Sequence, residues 1–453
     1  MSFLADLNDK EILIFGAGVT GKSTEEFLRK HGCILTIVDE KGIGGAIRNF
    51  ENLSLSKFYL AIVSPGWRLE HQLIQEARSA GIEMLSEIDL AWRIKSDVNP
   101  KQIWYAVTGT NGKTTTVQMA EEIFKKGGVP TRACGNVGDT VIEFAGDSSL
   151  ATLILELSSF QLSWSKEAQF EAGAILNIAE DHIDWHGSFQ NYLDAKLRLA
   201  KMSKRMIVNG DDANLDKARE SAAASYSYTL QTPRSGEIGL VENLIVDRAF
   251  TSGDAEVLFE LNDISPAVPH NVANAMAAAG LARIAGISVA SIREALQGFR
   301  LDNHRLQLIL DYQGIKWIDD SKATNPHAAE AALRSQLSSI WIAGGLAKDA
   351  QMDQLIQSTA SRIKFAILIG TDAGIIASAL SKFAPHVGIH LISDKQSSAE
   401  LMDEVVRIAE IHATSGDTVL LAPACASMDQ FENYADRGNK FADSVRRIIN
   451  AKP

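Results

Sequence analysis

Short apolar runs that stop at glycine or a small polar residue recur along this chain, with helical spacing between them. EILIFGAG (11–18), CILTIVD (33–39) and FYLAIVSPG (58–66) set the pattern, and STEEFLRKHG (23–32) lies between the first two. Runs this uniformly apolar have no solvent face, so they predict strands of a parallel sheet covered by helices on both sides. Gly32 marks the stop of the first helix.

The pattern returns twice. QIWYAVTG (102–109), ATLILE (151–156), AGAILN (172–177) and RMIVNG (205–210) predict a second sheet. GIKWIDD (314–320), SSIWIAGG (338–345), KFAILIG (364–370) and DTVLLAP (417–423) predict a third. Between them, residues 225–268 are less regular and strand-rich, as in AEVLFEL, and predict a small side sheet. The Ala-rich NVANAMAAAGLARIAG (271–286) predicts a closely packed helix, and KFADSVRRIINAKP (440–453) a closing helix with a short tail.

A chain of 453 residues is too long for one ordinary core and suggests about three domains. The polar stretch IKSDVNPKQ (94–102), after a helix expected to end near Ile94, marks one boundary, and the region near Leu301 marks the next. The expected fold class is α/β with three domains: Rossmann-like over 1–97, P-loop-type with a parallel sheet over 98–300, and Rossmann-like over 301–453.

Composition removes some classes of function. A net charge of −12 gives no uniform basic field for nucleic acid or anionic lipid. Cys33, Cys134 and Cys425 are scattered and form neither a disulfide framework nor a zinc pattern. The start MSFLADLNDKEILIF lacks the basic region of a signal peptide, and no apolar run reaches the roughly 20 residues of a membrane span. These features predict a cytoplasmic protein with no membrane or nucleic-acid partner.

The strongest chemical signal is GTNGKTTT at 109–116, after an apolar strand and before a helix. Backbone N–H groups of Gly109, Thr110, Asn111 and Gly112 suit a phosphate there, and the helix dipole favours the anion. Lys113 would neutralise phosphate charge and Thr114 would offer a hydroxyl to Mg²⁺, with Thr115 beside it. Glu156 ends the next buried strand, well placed for a metal; the plainer reading is a helix-capping acid. NIAEDHIDWH (177–186) runs from a strand into hard and borderline ligands, among them His182. The N-terminal GAGVTG (16–21) matches GxGxxG, with Asp39 eighteen residues beyond Gly21. Alone it suggests a dinucleotide, yet a UDP group would satisfy the same backbone geometry.

GTNGKTTT, ELSSFQL, NIAEDHIDWHG, PHNVANAMAA, HRLQ, DDSKATNPHA and CASMDQFENYADRG, in this order, resemble the Mur ligases of peptidoglycan synthesis. GAGVTG and ACASMDQF resemble the branch that adds D-glutamate. The resemblance implies an ATP-dependent amide ligase acting on UDP-N-acetylmuramoyl-L-alanine through an acyl phosphate, as a monomer. It implies two Mg²⁺ ions, one held by Thr114 and Glu156, the other by His182 and a carbamoylated Lys196. Without the resemblance Lys196 reads as a surface lysine on an amphipathic helix.

The resemblance places Asn271 and Asn274, with His270 nearby, at adenine and ribose. It brings Arg305, Asp320 and Lys322 to the nucleotide, with hinge motion at both linkers. It places Thr324, Lys348, Ser427, Met428 (through its backbone) and Tyr434 around D-glutamate, and Val19, Thr20, Asp39 and Glu40 around uridine. Gly66 and Asn136 fall near diphosphate or sugar. The alternatives are a Mur-type ligase for another amino acid and a non-ligating nucleotide-binding subunit.

Overall fold

The computed structural model describes residues 2–51, 53–221, 224–251, 253–348, 350–392 and 397–449. The chain forms two compact units, Met1–Ala267 with Asn271–Phe299, and Val268–His270 with Arg300–Pro453.

The first unit holds two sheets. The smaller runs Ile34–Val38, Glu11–Phe15, Leu60–Val63, Glu83–Ser86 and is parallel throughout. Leu13, Ile14, Ala61 and Ile62 are buried on alternate faces, which is why these runs read as continuously apolar. The larger sheet has nine strands. Its parallel centre is Arg205–Asn209, Ala172–Ile175, Ile103–Thr108, Thr152–Glu156 and Thr131–Gly135.

The strand-rich region after residue 224 is not a separate side sheet. Ala224–Thr229 pairs in parallel with Arg205–Asn209, and Glu237–Val241, Leu244–Asp247 and Glu256–Glu260 continue the same sheet outward. Its strand propensity was readable, but the partner of Ala224–Thr229 is set by packing rather than by local pattern.

The helix expected to end near Ile94 runs on from Glu87 to Val98. The polar letters misled because Lys95 is buried, its ammonium donating to Pro100 O and lying 4.6 Å from the Trp92 ring centre. This helix joins the two sheets of the unit. Asp89, 1% exposed, accepts from the N–H groups of Lys166, Glu167 and Ala168, and Glu87 accepts from Ile142 N at 2.6 Å.

The second unit is one six-stranded sheet in the order Gln307–Tyr312, Ile315–Asp319, Thr418–Leu421, Ser339–Gly344, Ile363–Ile369, Gly388–Leu391. The first pair is an antiparallel hairpin and the rest are parallel. The closing helix starts earlier than expected, at Tyr434, where Asn433 caps it by accepting from Ala435 N and Asp436 N. Among the described residues no helix is long and apolar enough to cross a membrane.

Candidate active site

In the nine-stranded sheet the strands Ile103–Thr108 and Ala172–Ile175 are neighbours, while the chain leaves the first toward Thr131–Gly135 on the opposite side. A crevice opens beyond the carboxyl ends of strands at such a switch of direction. The segments emerging there are 109–112 and 176–182.

The loop 109–112 is shaped by its own backbone and by segment 176–182. Gly112 sits at φ +84°, and a Cβ on it would lie 2.3 Å from Asn274 Oδ1, so backbone freedom and space both require glycine. It forms the N-cap of the helix Lys113–Lys126, whose first turn buries Thr114 and Thr115. Asn177 accepts from Asn111 N at 2.8 Å and donates from Nδ2 to Asn111 O at 3.0 Å, gripping both ends of one residue. Thr110 donates its N–H to Asn177 O and its hydroxyl bonds to Ala179 and to Tyr192 Oη.

Two lysines meet on this loop. Lys113 Nζ donates to the carbonyls of Gly109 and Thr110, both at 2.9 Å. Lys196 Nζ donates to the same Gly109 carbonyl at 2.8 Å, with the side chain only 2% exposed and the Tyr192 ring 4.9 Å away. Burial, with Lys113 adding like-charge repulsion, holds the Lys196 amine well below the ordinary lysine value. Glu156 ends the adjacent strand, 2% exposed. Its Oε1 accepts from Asn136 Nδ2 at 3.0 Å, while its Oε2 is buried with no hydrogen-bond partner. An anionic oxygen in that state is costly unless a cation meets it.

His182 is the N-cap of the short helix Ile183–His186, at φ +53°. Its imidazole packs against Phe160, 4.8 Å between ring centres. Partial burial and the cations of Lys196 and Lys113 lower its pKa, with Asp181 opposing. His186 behind it bonds Ser159 Oγ at 2.9 Å and is held neutral, its pKa near 4, chiefly by burial. Asn271 Nδ2 donates to Pro266 O while its Oδ1 is buried and unpartnered.

At the smaller sheet, Gly16, Gly18, Val19, Thr20 and Gly66 line a cavity of about 600 Å³. A Cβ on Gly21 would meet Gly16 O at 1.8 Å, so the third glycine of GAGVTG serves close helix–strand packing. Asp39 is occupied by the fold: its oxygens accept from Ala17 N and Lys41 N, and the first of these bonds holds its carboxyl below the usual value. The acid lining the cavity is Glu40, bonded to His71 Nε2 at 2.7 Å.

In the second unit, His304 and Asp319 pair at 2.6 Å beside Arg305 and Asp320. Asp320 accepts from Leu306 N, and its carboxyl is pushed up to about 7 by burial. Lys322 Nζ lies 3.7 Å from the centre of the Tyr434 ring. Fully buried Arg437 donates to Ser321 and to Cys425 O, which fixes both loops. Leu346 and Ala426 exchange backbone bonds, which brings the Lys348 loop beside buried Ser427. Met428 is 62% exposed and not a core residue. Thr324 N donates to Lys322 O.

The family described as Mur ligase middle domain matches residues 107–282, and that described as Mur ligase, glutamate ligase domain matches residues 304–425. A UDP-N-acetylmuramoylalanine--D-glutamate ligase from Thermobifida fusca (strain YX) is 41% identical, covering 98% of this chain and 99% of its own. A ligase of the same name from Streptomyces coelicolor is 40% identical over 98% of this chain and 99% of its own. The chain belongs to the Mur ligase family. This Mur ligase shares its fold with a pseudomurein peptide ligase type C from Methanothermus fervidus, at TM-score 0.62 and 18% identity over 97% of this chain and 100% of the other. A UDP-N-acetylmuramate-alanine ligase from Thermotoga maritima gives 0.59 and 16% over 98% and 100%.

Sequence reading of this Mur ligase missed Asn177 and Tyr192 as shapers of the phosphate loop, although Asn177 stands inside a quoted motif. It also missed Arg68, Trp67 and His71, whose position after VSPG was the available signal.

Proposed function

We propose that this Mur ligase joins D-glutamate to UDP-N-acetylmuramoyl-L-alanine with ATP, through an acyl phosphate. The observation that carries the reading is the pairing of Lys113 and Lys196 on the Gly109 carbonyl, close to the unpartnered buried oxygen of Glu156. The substrate carboxylate and the ATP tail are both anions, so their encounter needs cations between them, which Lys113 and Mg²⁺ would supply, with Lys196 serving as an anionic carbamate rather than as a cation. Loop 109–112 and Lys113 bind the phosphates, and the substrate carboxylate attacks the γ-phosphorus, releasing ADP. The D-glutamate amine then displaces phosphate, losing a proton.

Two Mg²⁺ ions would be held there, one by Glu156 with Thr114, the other by His182 with carbamoylated Lys196. Bound there, Mg²⁺ would screen charge between the reacting anions. An unmodified ammonium at Lys196 would repel a metal, and burial beside Lys113 disfavours that ammonium, which favours reaction of the amine with CO₂ to a carbamate with release of a proton. Asn271 and Asn274 are assigned to the nucleoside, and Arg305, Asp320 and Lys322 to the nucleotide. Thr324, Lys348, Ser427, Met428 and Tyr434 are assigned to D-glutamate, and Val19, Thr20, Asp39, Gly66 and Asn136 to the UDP-sugar. Asp39 and Asn136 would serve partly through the turn and the Glu156 carboxylate they hold.

The reading includes three domains, 1–97, 98–300 and 301–453, in a cytoplasmic monomer. The experiment is ADP formation with UDP-N-acetylmuramoyl-L-alanine across a panel of amino acids. D-Glutamate is expected to be preferred. Better turnover with an L-amino acid would overturn the choice of substrate, and none with any amino acid would overturn ligase activity.

A further inference from the structure

The cavity beside the smaller sheet has an unbalanced charge requirement, and this point rests on the UDP-substrate reading above. A diphosphate brings two negative charges into a space already lined by Glu40. The N-terminus of the helix Val19–Lys30, capped by Gly18 without a side-chain bond, offers partial positive charge there. Both ring nitrogens of His71 are already engaged, Nδ1 by Leu73 N and Nε2 by Glu40. Arg68 is the only guanidinium or ammonium among the described residues lining the cavity.

Arg68 is also tied to the catalytic segment. Its Nη2 donates to Asp184 O at 2.6 Å, and Trp185 Nε1 donates back to Gly66 O at 3.1 Å. Trp164 Nε1 donates to Trp67 O at 2.8 Å. The loop 64–68 is therefore bonded to the short helix whose N-cap is His182. A guanidinium has five N–H donors in a rigid fork, so one bond to Asp184 leaves others for phosphate oxygens.

We propose that Arg68 binds the diphosphate of the UDP-substrate while keeping its bond to Asp184, so that seating the substrate orders the His182 segment. Arg68 is thus a binding residue for the diphosphate and a positioning residue for His182.

The test measures UDP and uridine binding by calorimetry, and amide exchange of residues 182–186, in the full-length enzyme and its R68A and R68K variants. Arg68 is exposed, and thermal melts of both variants check that the fold is kept. R68A is expected to weaken UDP about 10-fold or more while leaving uridine within about twofold, with R68K between. UDP should slow exchange in 182–186 in the wild type and not in R68A. Equal losses for UDP and uridine, unchanged UDP binding in R68A, or wild-type exchange indifferent to UDP would each overturn the proposal. If UDP binds as expected but no amino acid supports ADP formation, the ligase reading fails and the Arg68 assignment stands. If the wild type binds neither UDP nor uridine, both fail.

Discussion

Lys196 holds its amine where an ammonium is least stable, buried and sharing one carbonyl with another lysine. Lys196→Ala is expected to lower turnover at least about 1,000-fold, with partial rescue by a small carboxylic acid. Wild-type enzyme equilibrated with ¹³CO₂ should give a carbamate carbon signal that the variant lacks; the same signal in the variant would place the modification elsewhere. Asn177 acts by geometry alone. Replacing it with Ala removes two hydrogen bonds from Asn111, each contributing about 1 kcal/mol. The KM for ATP should rise about 10-fold with a fall of a few degrees in Tm, and an unchanged KM would show that the loop keeps its shape unaided. The placing of Lys113 and Thr114 at the start of the helix after the glycine loop was legible because it is local to one segment. Asn177 and Tyr192 were not, because their partners lie 66 and 82 positions away.

At the scale of elements, the helix Glu87–Val98 carries a titratable joint. Burial pushes the Glu87 carboxyl up to about 7, against the bonds from Ile142 and Val141 that favour its charge. A carboxyl raised in the folded state contributes stability that is fully present below its unfolded pKa near 4.3 and is lost as pH rises through about 7. The loss is up to about 4 kcal/mol. Glu87→Gln keeps an acceptor for Ile142 N and removes the proton. Its Tm is expected to gain on the wild type from pH 5 to about pH 7 and to level off above, a trend read by thermal melts at each pH; a constant difference from pH 5 to pH 7 would mean Glu87 does not titrate there. Gly112→Ala should nearly abolish ATP binding in an equilibrium titration, since φ +84° and the 2.3 Å approach to Asn274 must both be relieved by moving the loop. Strand and helix existence was legible from apolar periodicity. The end of the helix past Ile94 and the outward extension of the nine-stranded sheet were not, because burial of Lys95 and the pairing of Ala224–Thr229 depend on distant chain.

At the scale of the molecule, Asp89, Glu87 and Arg93, which bonds both Glu83 and Glu167, hold the two sheets of the first unit together across residues 99–102. These bonds oppose the hinge expected at that linker. A chain ending at Phe299 is expected to melt in a single calorimetric transition; two separated transitions would restore a flexible first linker. Repetition of the strand–helix pattern foretold three sheets, but the fusion of two of them into one unit rests on single buried carboxylates that no periodicity reveals. The free thiols add a practical consequence. Cys33 leads into the smaller sheet, Cys134 lies within the nine-stranded one and Cys425 follows a strand of the third. All are buried, and burial raises each thiol pKa, to about 11 and about 12 for the first and last. A thiol reagent therefore reacts with each only when its own layer opens, so the native chain carries three built-in clocks for local unfolding.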